Sequence, residues 1–134
     1  QLSKSQDFWD VTIQNNRIYN TIENEAIYVR GFYNHEGIVR NVVITGNVID
    51  TVGGSNQAGI MLDAVRGGVI AANMISDTSG DGVRLNDCIG INVSGANQIS
   101  FVGRDAIAAF GSCSDLLSYR QLNHWRRPRR EWRL

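Results

Sequence analysis

The chain has 134 residues and carries 13 lysines and arginines against 13 aspartates and glutamates, so its formal net charge is zero. This length suits one domain with a continuous hydrophobic core. No run of about 18 apolar residues occurs, so we expect no membrane-spanning helix.

A motif of two aliphatic residues, an asparagine and another aliphatic residue begins at residue 11 and recurs along the chain. Its asparagines are 31, 26 and 24 residues apart: Asn16, Asn47, Asn73 and Asn97. A period in this range indicates a repeat architecture. Short amide side chains tolerate left-handed backbone at a tight bend and satisfy backbone groups that have no partner in a sheet. We therefore predict that the four asparagines form a structural ladder, each one stacked on the next.

A second motif follows each asparagine, at residues 26–30, 59–63, 82–86 and 106–110. Apolar residues alternate in it with polar or variable ones, which is typical of a half-buried strand. Two short strands in every 24 or so residues leave too little chain for crossover helices, so the economical arrangement is a coil. The sequence predicts an all-β, single-stranded parallel β-helix, or solenoid, of about four to five coils over residues 1–113. Two interior columns are expected: Ile13, Ile44, Ile70 and Val93, and Ile27, Ile60, Val83 and Ile107.

Cys88 and Cys113 lie 25 residues apart, about one repeat. We expect them at equivalent places on adjacent coils, where parallel side-chain directions favour two reduced thiols over a disulfide.

The repeat stops near residue 113, and residues 120–134 carry six arginines against Glu131. Residues 114–134 are therefore predicted to form an irregular or helical C-terminal cap, followed by a disordered basic tail beyond Pro128. Tail arginines between Trp125 and Trp132 could contact nucleic acid. The repeats offer no accompanying basic face, so we expect no such partner.

The units Val-x-Ile-x-x-Asn-x-Ile and Gly-Ile-x-Leu resemble the right-handed parallel β-helix repeats of the pectate-lyase-like superfamily, over residues 8–112. The resemblance implies a right-handed coil in which the Gly-Ile-x-Leu segments form the first sheet. The asparagines then mark the bend between the second and third sheets. The superfamily includes polysaccharide lyases, polygalacturonases, pectin methylesterases, alginate epimerases and phage tailspikes, so the fold does not choose among these activities.

In those enzymes the outward face of the first sheet contacts the substrate. Alternation predicts outward columns there that supply a substrate-binding set: Tyr28, Arg30, Asp63, Arg84 and Asn86. Arginine forks would bind carboxylated sugars, and Tyr28 would offer a stacking face. The alternative interpretation is an ordinary ion-pair cluster on a solvated surface.

Catalytic and metal-binding candidates are weaker. His35, Asp63 and Arg84 are the candidates for acid–base chemistry, although the alginate-epimerase signature Asp-Pro-His-Glu is only echoed at residues 33–36. Asp77 and Asp81 match the first half of a calcium loop, but its twelfth position is Cys88. We expect no cofactor, with Ca²⁺ as the only ion that this spacing would suit.

We therefore expect a carbohydrate-associated domain that binds an extended, anionic polysaccharide on the first-sheet face. A polysaccharide lyase or uronate epimerase is one alternative, and a structural or assembly module such as a tailspike-like segment is another. Homo-oligomers formed by end-to-end or side stacking of coils are expected from uncovered sheet edges. The resemblance alone points to a secreted, cell-surface or virion protein, and no membrane partner is expected.

Overall fold

A computed structural model describes residues 7–32, 37–94 and 96–118. In these ranges the chain is all-β, with no helix, and has the following strands: β1 (Phe8–Trp9), β2 (Thr12–Gln14), β3 (Arg17–Thr21), β4 (Ile27–Arg30), β5 (Val39–Thr45), β6 (Val48–Val52), β7 (Ile60–Asp63), β8 (Val65–Ala71), β9 (Met74–Thr78), β10 (Val83–Asn86), β11 (Ile89–Val93), β12 (Gln98–Val102), β13 (Ile107–Phe110) and β14 (Leu117–Ser118).

The strands form three parallel sheets. The first sheet consists of β4, β7, β10 and β13, and the third consists of β3, β6, β9 and β12. The second sheet has six strands, in the order β1-β5-β8-β11-β14 with β2 also paired to β5. The chain visits the second, third and first sheets in that order again and again, so equivalent strands stack in register. This arrangement of stacked parallel strands is compatible with a β-helix solenoid.

Both predicted interior columns are confirmed. Ile13, Ile44, Ile70 and Val93 are partners in the second sheet. In the first sheet the partners are Ile27, Ile60, Val83 and Ile107. From the second level upward these side chains are buried, and Ile44, Ile60, Ile70, Val83 and Ile107 have no exposed surface. β-Branched residues fill these columns because they pack well on a pleated surface that faces a core.

The asparagine ladder is present at the bend between the second and third sheets. Asn47 Nδ2 and the backbone N–H of Asn47 both donate to Asn73 Oδ1, at 3.0 Å each. The same pair of bonds links Asn16 to Asn47 and Asn73 to Asn97. Asn47, Asn73 and Asn97 are buried, whereas Asn16 is exposed at the end of the row.

The sequence had suggested left-handed backbone at the ladder asparagines themselves. In the structure the left-handed residue is a different one. At three of the four levels it is the residue before the asparagine: Asn15, Gly46 and Ala72 have φ of 57°, 68° and 56°. The amide side chains are thus free to serve the ladder, and the preceding residue makes the turn. Glycine and asparagine tolerate this conformation, but alanine does not. The left-handed conformation of Ala72 therefore costs about 1–2 kcal/mol.

Cys88 and Cys113 occupy equivalent places on adjacent levels, and both are free thiols. The Cys88 N–H donates to Cys113 Sγ at 3.3 Å, and Cys88 Sγ lies 3.3 Å from the carbonyl oxygen of Leu62 on the level below. The two thiols therefore satisfy backbone groups between levels much as the asparagines do. Burial raises the pKa of the Cys88 thiol to about 12, so the sulfur stays protonated and unreactive at neutral pH.

The second sheet continues beyond the boundary predicted at residue 113. Ser114 bridges to Ile89, and β14 pairs with β11 through Leu117 and Ser118. This pairing has the same 25-residue offset that was predicted for Cys88 and Cys113. Of the predicted cap and basic tail at 114–134, residues 119–134 lie outside the described residues.

Candidate functional site

The outward face of the first sheet carries the two columns that alternation predicted. One consists of Tyr28, Met61, Arg84 and Ala108, and the other of Arg30, Asp63, Asn86 and Phe110. Burial along these columns is uneven, however: Asp63 is only 5% exposed and Ala108 is fully buried, whereas Tyr28 is 47% exposed. The face is therefore covered at Asp63 and Ala108 and open at Tyr28, rather than a uniform row of solvated side chains.

Asp63 is the centre of one cluster. Its Oδ1 accepts a hydrogen bond from Asn86 Nδ2 at 3.1 Å, and its Oδ2 accepts one from the Tyr28 hydroxyl at 3.3 Å. Arg30 Nε lies 3.5 Å from the same Oδ2. A nearly buried carboxylate is stable here because these donors and the guanidinium compensate its lost hydration. The predicted binding residues Tyr28, Arg30, Asp63 and Asn86 are thus brought together around one carboxylate.

Tyr28 keeps its proton in this cluster. Partial burial, followed by the negative charge of Asp63, raises the pKa of the Tyr28 hydroxyl above its usual value. The phenol therefore acts as a donor to Asp63 and leaves its ring face outward. Arg30 is also flanked by Phe32, whose ring centroid lies 6.0 Å from the guanidinium carbon. The exposed surface of the cluster thus combines a guanidinium with two aromatic rings.

Arg84 is held on the other side of its column, toward the loops that precede the first-sheet strands. Its Nε donates to Asp81 Oδ2 at 2.7 Å, and its Nη2 donates to the side chain and carbonyl of Asn56 at 2.8 and 3.0 Å. Nη1 lies 4.0 Å from Glu25 Oε1. The alternation of the strands had placed Arg84 in one set with Arg30 and Asp63, but these contacts join Arg84 to Asp81. Alternation predicts the face of a residue, not the direction in which a long side chain leans.

Arg84 also lines an open pocket of about 270 Å³ on this face. Asn56, Met61, Asn86, Arg104 and Phe110 complete its lining. Among the described residues Arg104 has no ion pair, whereas Arg84 is paired with Asp81. The pocket thus combines an oriented guanidinium, a second guanidinium with no ion-pair partner among the described residues, and two apolar side chains. Arg104 was not predicted because it lies in a loop, and its only signal was its place in the loop that precedes β13.

The two weaker metal candidates do not share a site. Both oxygens of Asp81 are occupied, by Arg84 Nε and by the N–H of Asp105 at 3.0 Å. Asp77 is exposed on the third sheet, where Thr51 Oγ1 lies 3.4 Å from its Oδ2. In the ranges that the structure describes, no group of three or more His, Cys, Asp or Glu side chains could hold a metal ion.

His35, the remaining catalytic candidate, lies outside the described residues, so its role stays a prediction. The same holds for the tail that carries Trp125 and Trp132. Within residues 7–32, 37–94 and 96–118, no helix is long and apolar enough to cross a membrane.

No protein-family model, curated protein or solved structure matches this chain. The likeness to a superfamily thus depends on the repeat itself: the in-register sheets and the asparagine ladder.

Proposed function

We propose that this protein is a right-handed parallel β-helix of the pectate-lyase-like kind, with about four to five coils and a C-terminal cap. We further propose that it binds an anionic polysaccharide along the outward face of the first sheet. Three stacked parallel sheets, visited in a constant order, support the fold assignment. So does the position of the ladder between the second and third sheets.

The observation that carries the binding proposal is the pair of guanidiniums in the first-sheet pocket. Asp81 and Asn56 hold Arg84 in one orientation, so little side-chain entropy remains to be lost when a ligand binds. Arg104 contributes a positive charge that no described carboxylate offsets. A sugar carboxylate accepts charge-assisted hydrogen bonds from such groups. Met61 and Phe110 supply apolar surface for the faces of the sugar rings.

The Asp63 cluster would extend the same binding surface. Arg30 lies on β4 and Arg84 on β10, with β7 between them. Adjacent parallel strands are about 4.8 Å apart, so the two guanidiniums belong to levels separated by roughly 10 Å. A ligand with repeated carboxylates along an extended backbone fits this spacing better than a single small anion does.

Titration calorimetry with galacturonate oligomers tests the proposal. Arg104→Ser should weaken binding by roughly tenfold, the size of one charge-assisted contact. Arg66→Ser is the matched control, because it removes the same charge from an exposed arginine on the second sheet. Equal weakening by both variants, or equally tight binding of neutral galactose oligomers, would contradict the proposal.

The lyase alternative has its own measurement. A lyase acting on uronate polymers would produce unsaturated sugars and a rise in ultraviolet absorbance. If this rise is seen with the native protein and is lost in Asp63→Asn, the protein is a lyase and not only a binding domain. The substitution is suitable because it removes the negative charge but keeps a hydrogen-bond acceptor for Tyr28.

A specific observation also supports the assembly alternative. β3 and β4 end their sheets, so each has one strand edge without a partner among the described residues. The side-chain oxygen Oδ1 of Asn16 likewise accepts no bond from a described residue, unlike the Oδ1 atoms of the three asparagines above it. Such an edge could pair with another copy of the chain. Light scattering tests this: a mass that rises with concentration would support stacking, and a constant monomer mass would exclude it.

A further inference from the structure

An open groove of about 540 Å³ lies on the outward face of the third sheet, away from the first-sheet pocket. Its floor is a column of partners on three successive levels: Asp50, Ser76 and Ser100. Met74 and Gln98 form one wall, and Asp77 and Phe101 form the other. The volume is typical of small-molecule sites, and the lining mixes apolar surface with a few polar groups.

One end of the groove is acidic. Asp50 Oδ1 lies 3.4 Å from the Thr51 hydroxyl and 3.1 Å from the Ser76 hydroxyl. The same Thr51 hydroxyl lies 3.4 Å from Asp77 Oδ2, and it has only one proton to donate. The two carboxylates therefore offer more acceptors than the neighbouring hydroxyls can fill. The ion pairs found among the described residues involve other carboxylates, so neither aspartate has a counter-ion there.

The rest of the groove is lined in part by exposed apolar side chains. Phe101 is 74% exposed and Met74 is 50% exposed, which is unusual for large apolar side chains that face solvent. Phe101 has φ of 52°, and Thr51 and Asp77 at the same position of the lower levels have φ of 61° and 57°. Because this conformation recurs at the same position on successive levels, it is a property of the repeat. The exposed Phe101 side chain forms part of the groove wall.

We propose that this groove binds a short oligomer of an amino sugar in its protonated form. Ammonium groups would donate to Asp50 and Asp77, sugar hydroxyls would bond to Ser76, Ser100 and Gln98, and a ring face would stack on Phe101. The ligand class follows from charge and shape: two carboxylates with no counter-ion among the described residues, hydroxyl and amide groups along the floor, and an aromatic wall. Its charge is opposite to that of the ligand proposed for the first sheet, so the two sites are independent.

Chemical-shift titration of the intact chain with a fully deacetylated glucosamine tetramer tests the proposal. Binding is expected at a pH where the amines are protonated, with shifts centred on β9 and β12. It should be lost when the pH is raised to deprotonate the amines, and it should weaken with salt. Asp50→Asn and Asp77→Asn should each raise the dissociation constant roughly 3- to 5-fold, the range of an exposed ion pair. Phe101→Asn should raise it by a similar factor, because asparagine tolerates the left-handed backbone but offers no ring.

Asp115→Asn is the matched control, because Asp115 is also an exposed aspartate in left-handed backbone, with φ of 52°, but lies near β14. It should leave the dissociation constant unchanged. Equal binding of the acetylated, uncharged tetramer would overturn the proposal, as would equal losses in Asp77→Asn and Asp115→Asn. Equal affinity for a lysine tetramer, or the same shifts with Ca²⁺ alone, would also overturn it.

Discussion

Asn73 shows how one amide side chain joins three levels of the fold. Its Oδ1 accepts two bonds from Asn47, its Nδ2 lies within bonding distance of Ile44 O, Ala71 O and Asn97 Oδ1, and its own N–H donates to Asn97. Because Asn73 is only 2% exposed, water cannot replace these partners. A satisfied polar network in a core is strongly stabilising only while every member is present.

Asn73→Ala should therefore lower the free energy of unfolding by about 3–5 kcal/mol, because several buried backbone groups lose their partner at once. Urea denaturation measures this loss. Asn16→Ala is the control, since Asn16 lies at the exposed end of the same ladder and water can take over its bonds. It should cost less than about 1 kcal/mol. Equal losses for both would mean that the ladder is not a buried network.

Ala72 is a site where the backbone conformation disfavours the residue present. Its φ is 56° and its side chain is exposed, so glycine would remove strain without leaving a cavity. Ala72→Gly should raise the free energy of unfolding by about 0.5–1 kcal/mol, the difference between relieved strain and added chain entropy. Ala71→Gly, in the extended strand next to it, should lower it by about the same amount. A loss in both variants would contradict the left-handed assignment.

Cys88 should make the fold sensitive to alkaline pH. Burial raises the pKa of its thiol from the usual 9.0 to about 12, so between these values the folded chain retains a proton that the unfolded chain has lost. The stabilisation is complete below pH 9 and disappears as the pH approaches 12, at up to about 1.4 kcal/mol per pH unit.

The measurement compares the free energy of unfolding at pH 8 and about 10.5 in the native chain and in Cys88→Val. Valine is a suitable replacement because Val65 and Val39 occupy the same position on the lower levels and are buried. The variant should lose less stability over this interval. Parallel losses in the two proteins would show that Cys88 ionises freely in the folded state.

At the scale of elements, the entry to the first sheet is closely packed. Gly59 and Gly82 precede β7 and β10, with Ala26 and Ala106 at the same position of β4 and β13. A Cβ on Gly82 would meet the Ile99 side chain and lie 2.7 Å from the Ala106 carbonyl oxygen. The middle levels therefore require glycine, whereas the outer levels accept alanine.

Gly82→Ala should lower the free energy of unfolding by about 1–3 kcal/mol, because neither the sheet backbone nor buried Ile99 can move freely. Denaturant titration checks this, with Ala26→Gly as the control in the outermost level. The control should change stability by less than about 1 kcal/mol. A neutral Gly82→Ala would mean that the third and first sheets are not packed as closely as described.

The strands, their register and the ladder could be predicted because each depends on a local pattern that recurs. Alternation identified the inward columns, and the spacing of the asparagines predicted their stacking. The burial of Asp63, the orientation of Arg84 and the contribution of Arg104 could not be predicted in this way. They depend on how long side chains lean between levels and on loops that have no period. The third-sheet groove was missed for a similar reason, since its acidic and aromatic residues come from three levels far apart in sequence.

At the scale of the whole molecule, both proposed sites lie on outward faces whose side chains come from different levels. Each site exists only if equivalent strands are stacked in the described register. A slip of one residue would turn Asp63 and Arg84 inward and would expose the buried aliphatic columns instead. The register is therefore the claim on which the fold, the first-sheet site and the third-sheet groove all depend.

Backbone nuclear Overhauser effects on the isotopically labelled 134-residue chain test this register most directly. Leu62 should show inter-strand contacts with Leu85, and Leu85 with Ala109, because these residues are partners in the first sheet. The account would be contradicted if Arg84 or Asn86, and not Leu85, were the direct partner of Leu62. It would also be contradicted if these strands showed no contacts.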